Sequence, residues 1–489
     1  MRTNRSGRGR LYWAGASALL LAISAGCAKP ATNPLPLPPI KPAAAEHFSE
    51  GLSTIARLDA TNGWTAETCE STARTFLEAE EVQGNAGFPL AVYNAGVAYQ
   101  RCGDVAHAEP LFKRVVADDP KFHRARVQLA EIALNREGGD LNAAITEFER
   151  AVADSEFQNN EALVDLARAQ MKRRNAAADK DGPDDLSRAR KNLQRALAID
   201  DNYMPAFEQL ATNYLLAARA GAKSSLSLDA MTRQPAATTG SDRQMLELAL
   251  LVASQGLRKN GEYAPLHNVA GIIYVELGDP TTAARRFAAA RKLDQRLVAA
   301  HVNFAAVNLS FRGFAEAEEG YRAALALQPD DYDARVGLAL ALRGRIDEAQ
   351  DAAAVYDDAT QQLAAARKLD ESRPEADFNE AILIAEYGPR VKGLSQKDAT
   401  DKAVALYQRF VERARGRADL EAAVDDVTAV PTLPDDQCMG AAGKKHECKR
   451  GRIFDLKDAL AFAEESAAEQ RRLDEEAKMR AASADAATP

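Results

Sequence analysis

The sequence predicts an all-α protein, a right-handed superhelix of helix-turn-helix repeats. The main observation is a period of 34 residues, at which small and aromatic residues recur in two abutting segments. Gly271, Tyr274, Gly278, Ala283, Phe287 and Ala290 recur as Ala305, Asn308, Gly313, Ala317, Tyr321 and Ala324. Repeats of this length stack because one hairpin cannot bury its apolar face alone. The composition agrees, since only 6% of the 489 residues are aromatic and 27% are charged.

Residues 1–26 have the pattern of an export signal. Four arginines precede an apolar run from Leu11 to Ile23, which is short for a membrane span and ends in three small residues. This ending, directly before Cys27, resembles a bacterial lipoprotein signal peptide. The resemblance implies cleavage before Cys27, lipidation of that residue and, from Ala28, sorting to the outer membrane. A plain signal peptide with an incidental cysteine is the alternative.

The next two segments connect this signal to the repeats. Six prolines between residues 28 and 45 disfavour a helix, so residues 27–45 are predicted to form an extended, proline-rich tether. Two helical patterns follow in residues 46–88, separated by turn residues at 61–63. They predict an N-terminal helical cap.

Residues 89–418 are predicted to contain about eight repeats. The first clear repeat carries Gly96, Tyr99, Gly103, Ala108, Phe112 and Pro120, which resemble the tetratricopeptide repeat. In that family small residues allow close helix approach and aromatic residues fill the space between the helices. A Ser-, Thr- and Ala-rich stretch at 219–243 interrupts the pattern and predicts an exposed loop insertion. The repeats resume without insertion from Ala264 to Asp331.

The tetratricopeptide resemblance implies that the first helix of each repeat lines a groove for a protein partner. In register, the predicted groove residues are Tyr93, Asn94, Val97, Gln100, Arg101, Asn268, Ile272, Val275, Val302, Asn303, Ala306 and Leu309. Because this lining mixes apolar and amide groups, we expect it to hold a helix or an extended segment. The alternative for each apolar member is that it packs only against adjacent repeats.

The C-terminal part departs from the period. Residues 419–452 are predicted to form a cysteine-containing loop, residues 453–480 a charged helix and residues 481–489 a disordered tail. With Cys27 lipidated, Cys69, Cys102, Cys438 and Cys448 remain. An even number in an exported chain predicts two disulfides, and sequence proximity favours Cys69 with Cys102 and Cys438 with Cys448.

Several chemistries lack their residues in this sequence. The net charge is −9 and no basic stripe with interleaved aromatic residues occurs, so we expect no nucleic-acid partner. A zinc site at Cys438, His446 and Cys448 would lack a fourth ligand, so no metal or other cofactor is expected. No catalytic motif is present, and paired acids such as Asp118–Asp119 and Asp330–Asp331 lie near helix ends, where acids act as caps. No enzymatic activity is expected.

In layout and composition, the whole chain resembles the tetratricopeptide lipoprotein of the myxobacterial adventurous gliding motility machinery. The resemblance implies a non-enzymatic scaffold that is lipid-anchored in the outer membrane, faces the periplasm and binds other cell-envelope proteins of the gliding complex. Two alternatives remain open. One is a pilotin or assembly factor for a secretin or pilus system, which would use the same anchor and groove. The other is a cell-wall lytic enzyme, which requires a pair of carboxylates in a cleft.

Overall fold

The computed structural model describes residues 39–61, 63–136, 139–177, 182–220, 226–227, 232–233, 240–431 and 448–485. These residues form twenty α-helices and one short antiparallel ladder of two strands. The all-α repeat fold predicted from the sequence is therefore confirmed. The predicted signal (1–26), the tether up to residue 38 and Cys27 lie outside the described residues.

The helices follow the chain in tandem. Their bounds are α1 Pro42–Thr61, α2 Ala66–Gln83, α3 Pro89–Arg101, α4 Val105–Asp118, α5 His123–Asn135, α6 Leu141–Asp154, α7 Asn160–Arg173, α8 Asp185–Ile199, α9 Met204–Ala220, α10 Gly240–Lys259, α11 Ala264–Glu276, α12 Pro280–Leu293, α13 Val298–Ser310, α14 Phe314–Leu327, α15 Tyr332–Arg345, α16 Ala352–Leu369, α17 Glu375–Lys392, α18 Gln396–Ala414, α19 Glu421–Thr428 and α20 Arg452–Asp485. Within the predicted insertion, β1 Leu226–Ser227 pairs with β2 Thr232–Arg233.

The described part of the chain divides into two compact units, one ending at Cys102 and the other beginning at Gly103. In the first unit α2 packs against both α1 and α3. Phe48 of α1 is the centre of an aromatic cluster, with ring centroids 5.6 Å from Phe76 and 5.0 Å from Phe88. A Cβ atom at Gly51 would lie 2.7 Å from the Phe76 ring, so α1 needs glycine there to approach α2.

A disulfide joins two helices of the first unit. It connects Cys69 of α2 to Cys102 at the end of α3, with 6.4 Å between the Cα atoms. The predicted Cys69–Cys102 pairing is thus present. Cys438, the proposed partner of Cys448, lies outside the described residues, and the second pairing stays a prediction.

The second unit contains seven helix pairs, from α5–α6 to α17–α18, in its described part. The residues predicted to lie at helix crossings do so, since Ala283 and Ala317 are both 0% exposed. Gly271 of α11 faces the ring of Phe287 of α12 so closely that a Cβ atom would overlap it. Small residues therefore set the distance between paired helices.

Aspartates fix where several helices begin. Asp104, Asp140, Asp184, Asp279 and Asp351 each accept a hydrogen bond from a backbone N–H in the first turn of the following helix. The cap role predicted for the Asp330–Asp331 pair is present in Asp331, whose carboxylate accepts from Ala334 N at 2.9 Å. These side chains satisfy donors that a helix leaves unpaired, which keeps the repeat boundaries in register.

A buried ion cluster closes the longer turn between α7 and α8. The Asp185 side chain is fully buried and accepts hydrogen bonds from Arg173 Nε at 2.8 Å and from Arg188 Nη2 at 2.7 Å. The backbone N–H of Asn175 donates to the same carboxylate at 2.6 Å. Burial alone would raise the pKa of Asp185, but these hydrogen bonds hold it at about 2.

Three segment boundaries differ from those expected from the sequence. α1 begins at Pro42, inside the predicted tether, because proline is well tolerated in the first turn of a helix. The predicted cysteine-containing loop includes α19, whose Val427 is buried. α20 extends to Asp485, beyond the expected end at 480. Among the described helices, none has both the length and the apolar character needed to cross a membrane.

Candidate functional site: the inner layer of the second unit

The first helices of successive pairs contact one another in the second unit. These contacts run α5–α7, α7–α9, α9–α11, α11–α13, α13–α15 and α15–α17. No comparable contact joins the second helices of successive pairs in the described chain. The first helices therefore form an inner layer, and we use that name for the surface made by α5, α7, α9, α11, α13, α15 and α17.

One small, buried residue marks the register of each inner-layer helix. Ala130, Ala167, Ala211, Gly271, Ala305 and Ala339 occupy the same position in six successive first helices. All six are buried, as expected of small residues at which neighbouring helices approach. The spacing between them varies from 34 to 60 residues, since insertions fall in the turns and leave the helices in register.

The inner layer is acidic over α5, α7 and α9. Glu131 follows the register alanine of α5, Asp165 precedes that of α7 by two residues, and Glu208 precedes that of α9 by three. Asp165 is only 7% exposed, and Glu131 and Glu208 are half-buried. Arg168 Nη1 lies 3.1 Å from Asp165 Oδ1, but its own side chain is 57% exposed. We call Glu131, Asp165 and Glu208 the acidic part of the inner layer.

Burial governs the electrostatics of these three acids. It raises the pKa of Glu131 from 4.5 to about 7, with further raising by the charges of Asp165 and Glu161. Burial likewise raises the pKa of Asp165 from 3.8 to about 6, although Arg168 opposes the shift. The pKa of Glu208 is also raised by burial, against a lowering hydrogen bond from Tyr263. The three carboxylates are therefore incompletely compensated by cations.

Two tyrosines border the acidic part. The hydroxyl of Tyr263, just before α11, donates to Glu208 Oε2 at 2.9 Å. Tyr203, just before α9, is half-buried, and burial raises its pKa with help from the charges of Glu161 and Asp165. An aromatic ring beside desolvated carboxylates is an arrangement that attracts cations. The described residues hold no group of three or more His, Cys, Asp or Glu placed to bind a metal ion.

The predicted groove residues on α11 and α13 form a different, uncharged part of the inner layer. Asn303 Nδ2 donates to Asn268 Oδ1 at 2.8 Å, which joins the two helices through their amides. Around this bond, Ile272, Val275, Val302 and Ala306 are half-buried. Two predicted groove residues are less accessible: Asn268 is 8% exposed and Leu309 is 6% exposed.

The predicted groove residues on α3 belong to the first unit. Tyr93, Asn94, Val97 and Gln100 are half-buried. Asn94 Nδ2 donates to Leu90 O of its own helix at 2.7 Å. Arg101 is exposed and pairs with Asp59 of α1 at 3.2 Å. Arg101 is therefore engaged within its own unit.

The acidic part of the inner layer was not identified from the sequence. The acids singled out in the sequence were adjacent pairs near turns, of which Asp331 is a helix cap. Glu131 and Asp165 instead stand singly within first helices. The sequence does contain a signal for these three acids. Once each first helix is aligned on its small residue, an acid recurs within three positions of that residue in three helices in succession.

Comparisons with known proteins give structural neighbours only. No known protein family matches the chain by sequence, and no curated protein does. A thermophilic TPR protein of Thermus thermophilus is 28% identical and aligns over 45% of this chain and 98% of its own, with a TM-score of 0.36. A tetratricopeptide repeat protein of Parabacteroides merdae is 13% identical over 62% and 97%, with a TM-score of 0.37. The pilF protein of Pseudomonas aeruginosa is 15% identical over 54% and 96%, with a TM-score of 0.38. Because these similarities are low, the fold is assigned from the helix pairs and register residues of this chain.

Proposed function

We propose that this protein is a non-enzymatic scaffold lipoprotein that binds other envelope proteins at the periplasmic face of the outer membrane. The observation that carries the scaffold function is the inner layer itself. Its successive first helices contact one another, and they carry half-buried apolar groups, amides and acids. Stacked repeats of this kind create extended surfaces that bind peptides or helices.

The lipid anchor is supported by the arginine-rich start, the short apolar run and the small residues before Cys27. Several acyl chains on one cysteine would hold the protein stably on a membrane, since each buried methylene contributes about 0.8 kcal/mol. The test is fractionation of cells that express Cys27→Ala. The variant is expected in the soluble periplasmic fraction, and its continued sedimentation with membranes would contradict the anchor.

Membership of a gliding motility complex rests on the layout of signal, proline-rich tether and alanine-rich repeats. A force-bearing link between envelope layers needs an anchor, a spacer and an elastic array, and this order of segments provides them. Crosslinking in the native envelope followed by mass spectrometry tests the proposal. Gliding-machinery proteins are the expected partners. Recovery of a secretin or pilus protein instead would favour a pilotin or assembly factor.

A cell-wall lytic enzyme is the second candidate, and one observation favours it. Glu131 and Asp165 are neighbouring inner-layer acids with raised pKa values, and glycan hydrolysis needs a carboxyl group that stays protonated. We prefer the scaffold because burial raises both pKa values, whereas an acid–base pair needs environments that move the two apart. Release of glycan fragments by purified protein, lost in Glu131→Gln, would establish the enzyme instead.

A further inference from the structure

The acidic part of the inner layer consists of carboxyl groups that the cations around them compensate only in part. Glu131, Asp165 and Glu208 come from three successive first helices, and burial raises the pKa of each. Arg168 bonds Asp165 through one nitrogen and is otherwise largely exposed. Acids kept in this state reduce the stability of the folded chain, which is typical of groups retained for binding.

A second observation at the same place concerns the side-chain amide of Gln128. Gln128 of α5 is 8% exposed, and among the described residues its side chain has no hydrogen-bond partner. It lies three residues before Glu131, on the same helix face, and in the register position that Asp165 occupies on α7. α5 and α7 contact each other, so equivalent positions on these two helices lie in the same layer. The amide atoms of Gln128 are not among the buried unsatisfied atoms of the described chain, so they stay accessible to a ligand that enters the inner layer.

The surrounding rings define the chemistry of the occupant. Tyr203 lies near enough to Asp165 and Glu161 for their charges to raise its pKa, and Tyr263 bonds Glu208. Carboxylates and tyrosine rings together favour a guanidinium or ammonium group, which pairs with the acid and stacks on the ring. The chain contains such a stack elsewhere, where Arg190 lies 4.6 Å from the centroid of the Tyr214 ring.

We propose that the acidic part of the inner layer docks an extended segment of a protein partner that carries lysine or arginine side chains. This inference rests on the proposed scaffold function and specifies its partner. The acids span three helices that pack about 10 Å apart. An extended chain advances about 3.3 Å per residue, so two basic side chains about six residues apart would reach α5 and α9 together. The unpaired Gln128 amide would bond the backbone of that segment.

Fluorescence anisotropy with two synthetic peptides tests this proposal on the full-length protein. The first peptide is a fluorescein-labelled decamer of Ser and Ala with two lysines about six residues apart. The second has glutamine in place of both lysines. The lysine peptide is expected to bind and the glutamine peptide is not. The measurement uses about 0.15 M salt, which screens long-range attraction to the acidic chain, so that the binding that remains comes from local contacts.

Matched variants locate the binding. The double variant Asp165→Asn and Glu208→Gln is expected to weaken binding of the lysine peptide about tenfold. The control is Glu247→Gln on α10, because the exposed Glu247 pairs only with Arg243 of the same helix in the described chain. It is expected to bind like the wild type. Circular dichroism confirms that the double variant is folded. As an independent variant, Gln128→Leu removes the amide without changing charge and is expected to weaken binding.

Each contrary result has a distinct meaning. If both peptides bind equally, if neither binds, or if the double variant binds as tightly as the Glu247→Gln control, the acidic docking surface is refuted. The scaffold function would survive that result if the wild-type chain and the double variant crosslink to the same envelope proteins. If the wild-type chain crosslinks to no envelope protein, the scaffold function itself fails.

Discussion

The hydroxyl of Tyr263 donates a hydrogen bond of 2.9 Å to Glu208 Oε2, and so links the start of α11 to α9. The bond crosses between two first helices of the inner layer, which also contact each other directly. It is the polar counterpart of the Asn303–Asn268 bond between α11 and α13. Polar side chains of the inner layer therefore connect successive repeats through hydrogen bonds.

Loss of this hydroxyl should have a measurable electrostatic effect. In Tyr263→Phe, Glu208 loses the hydrogen bond that lowers its pKa, so its pKa is expected to rise further above the ordinary value. The free energy of unfolding should fall by about 1 kcal/mol at neutral pH. NMR titration of the Glu208 carboxyl and urea unfolding measure the two effects. An unchanged pKa would mean that the bond does not form in solution.

Asp165 should reduce stability at neutral pH. A folded-state pKa near 6, above the ordinary 3.8, means that this carboxyl contributes stability below about pH 4 and loses it as the pH rises through 6. Asp165→Asn is therefore expected to raise the free energy of unfolding by about 1–3 kcal/mol at pH 8 and to have little effect at pH 4. Urea unfolding at both pH values measures this difference. Destabilisation at pH 8 would contradict it.

Asp185 should behave in the opposite way. Its folded-state pKa of about 2 lies below the ordinary 3.8, so its contribution is present above about pH 4 and is lost as the pH falls through 2. Asp185→Asn removes the charge that compensates Arg188, which is 3% exposed, and should cost about 3–5 kcal/mol at pH 7. Asp201→Asn is the control, because Asp201 is 74% exposed and its pairing with Lys259 contributes at most about 1 kcal/mol.

The helix crossings should tolerate no enlargement. Ala283→Leu introduces three carbon atoms at a site that is 0% exposed between α11 and α12, and we expect a loss of about 1–3 kcal/mol. Ala315→Leu on α14 makes the same change at an exposed position and should alter stability by less than about 0.5 kcal/mol. Thermal unfolding of the two variants gives the comparison. Equal melting temperatures of the two variants would mean that Ala283 does not lie at the helix crossing.

The sequence predicted what depends on local spacing. Ala283, Ala317 and Phe287 were assigned to helix crossings from their period alone, and all three are buried there. The Cys69–Cys102 pairing followed from proximity along the chain and is present. Both predictions hold because helices that follow one another along this chain also contact one another.

The sequence did not predict what depends on neighbouring repeats of unequal length. Glu131 and Asp165 become close only because α5 and α7 stay in register across an intervening turn. Their raised pKa values arise from burial between helices, which no single helix pattern reveals. In the same way, Leu309 appeared as a groove residue from its register, but neighbouring helices leave it 6% exposed.

The central claim is that the inner layer, rather than the outer surface, meets the protein partner. Photocrosslinking from two alanines tests it most directly, with a benzophenone amino acid at Ala306 of α13 or at Ala315 of α14. Ala306 is a half-buried inner-layer residue and Ala315 an exposed residue of a second helix. In the native envelope, crosslinks to an envelope protein are expected from position 306 and not from position 315. Equal crosslinking from both positions, or crosslinking from position 315 alone, would contradict the account.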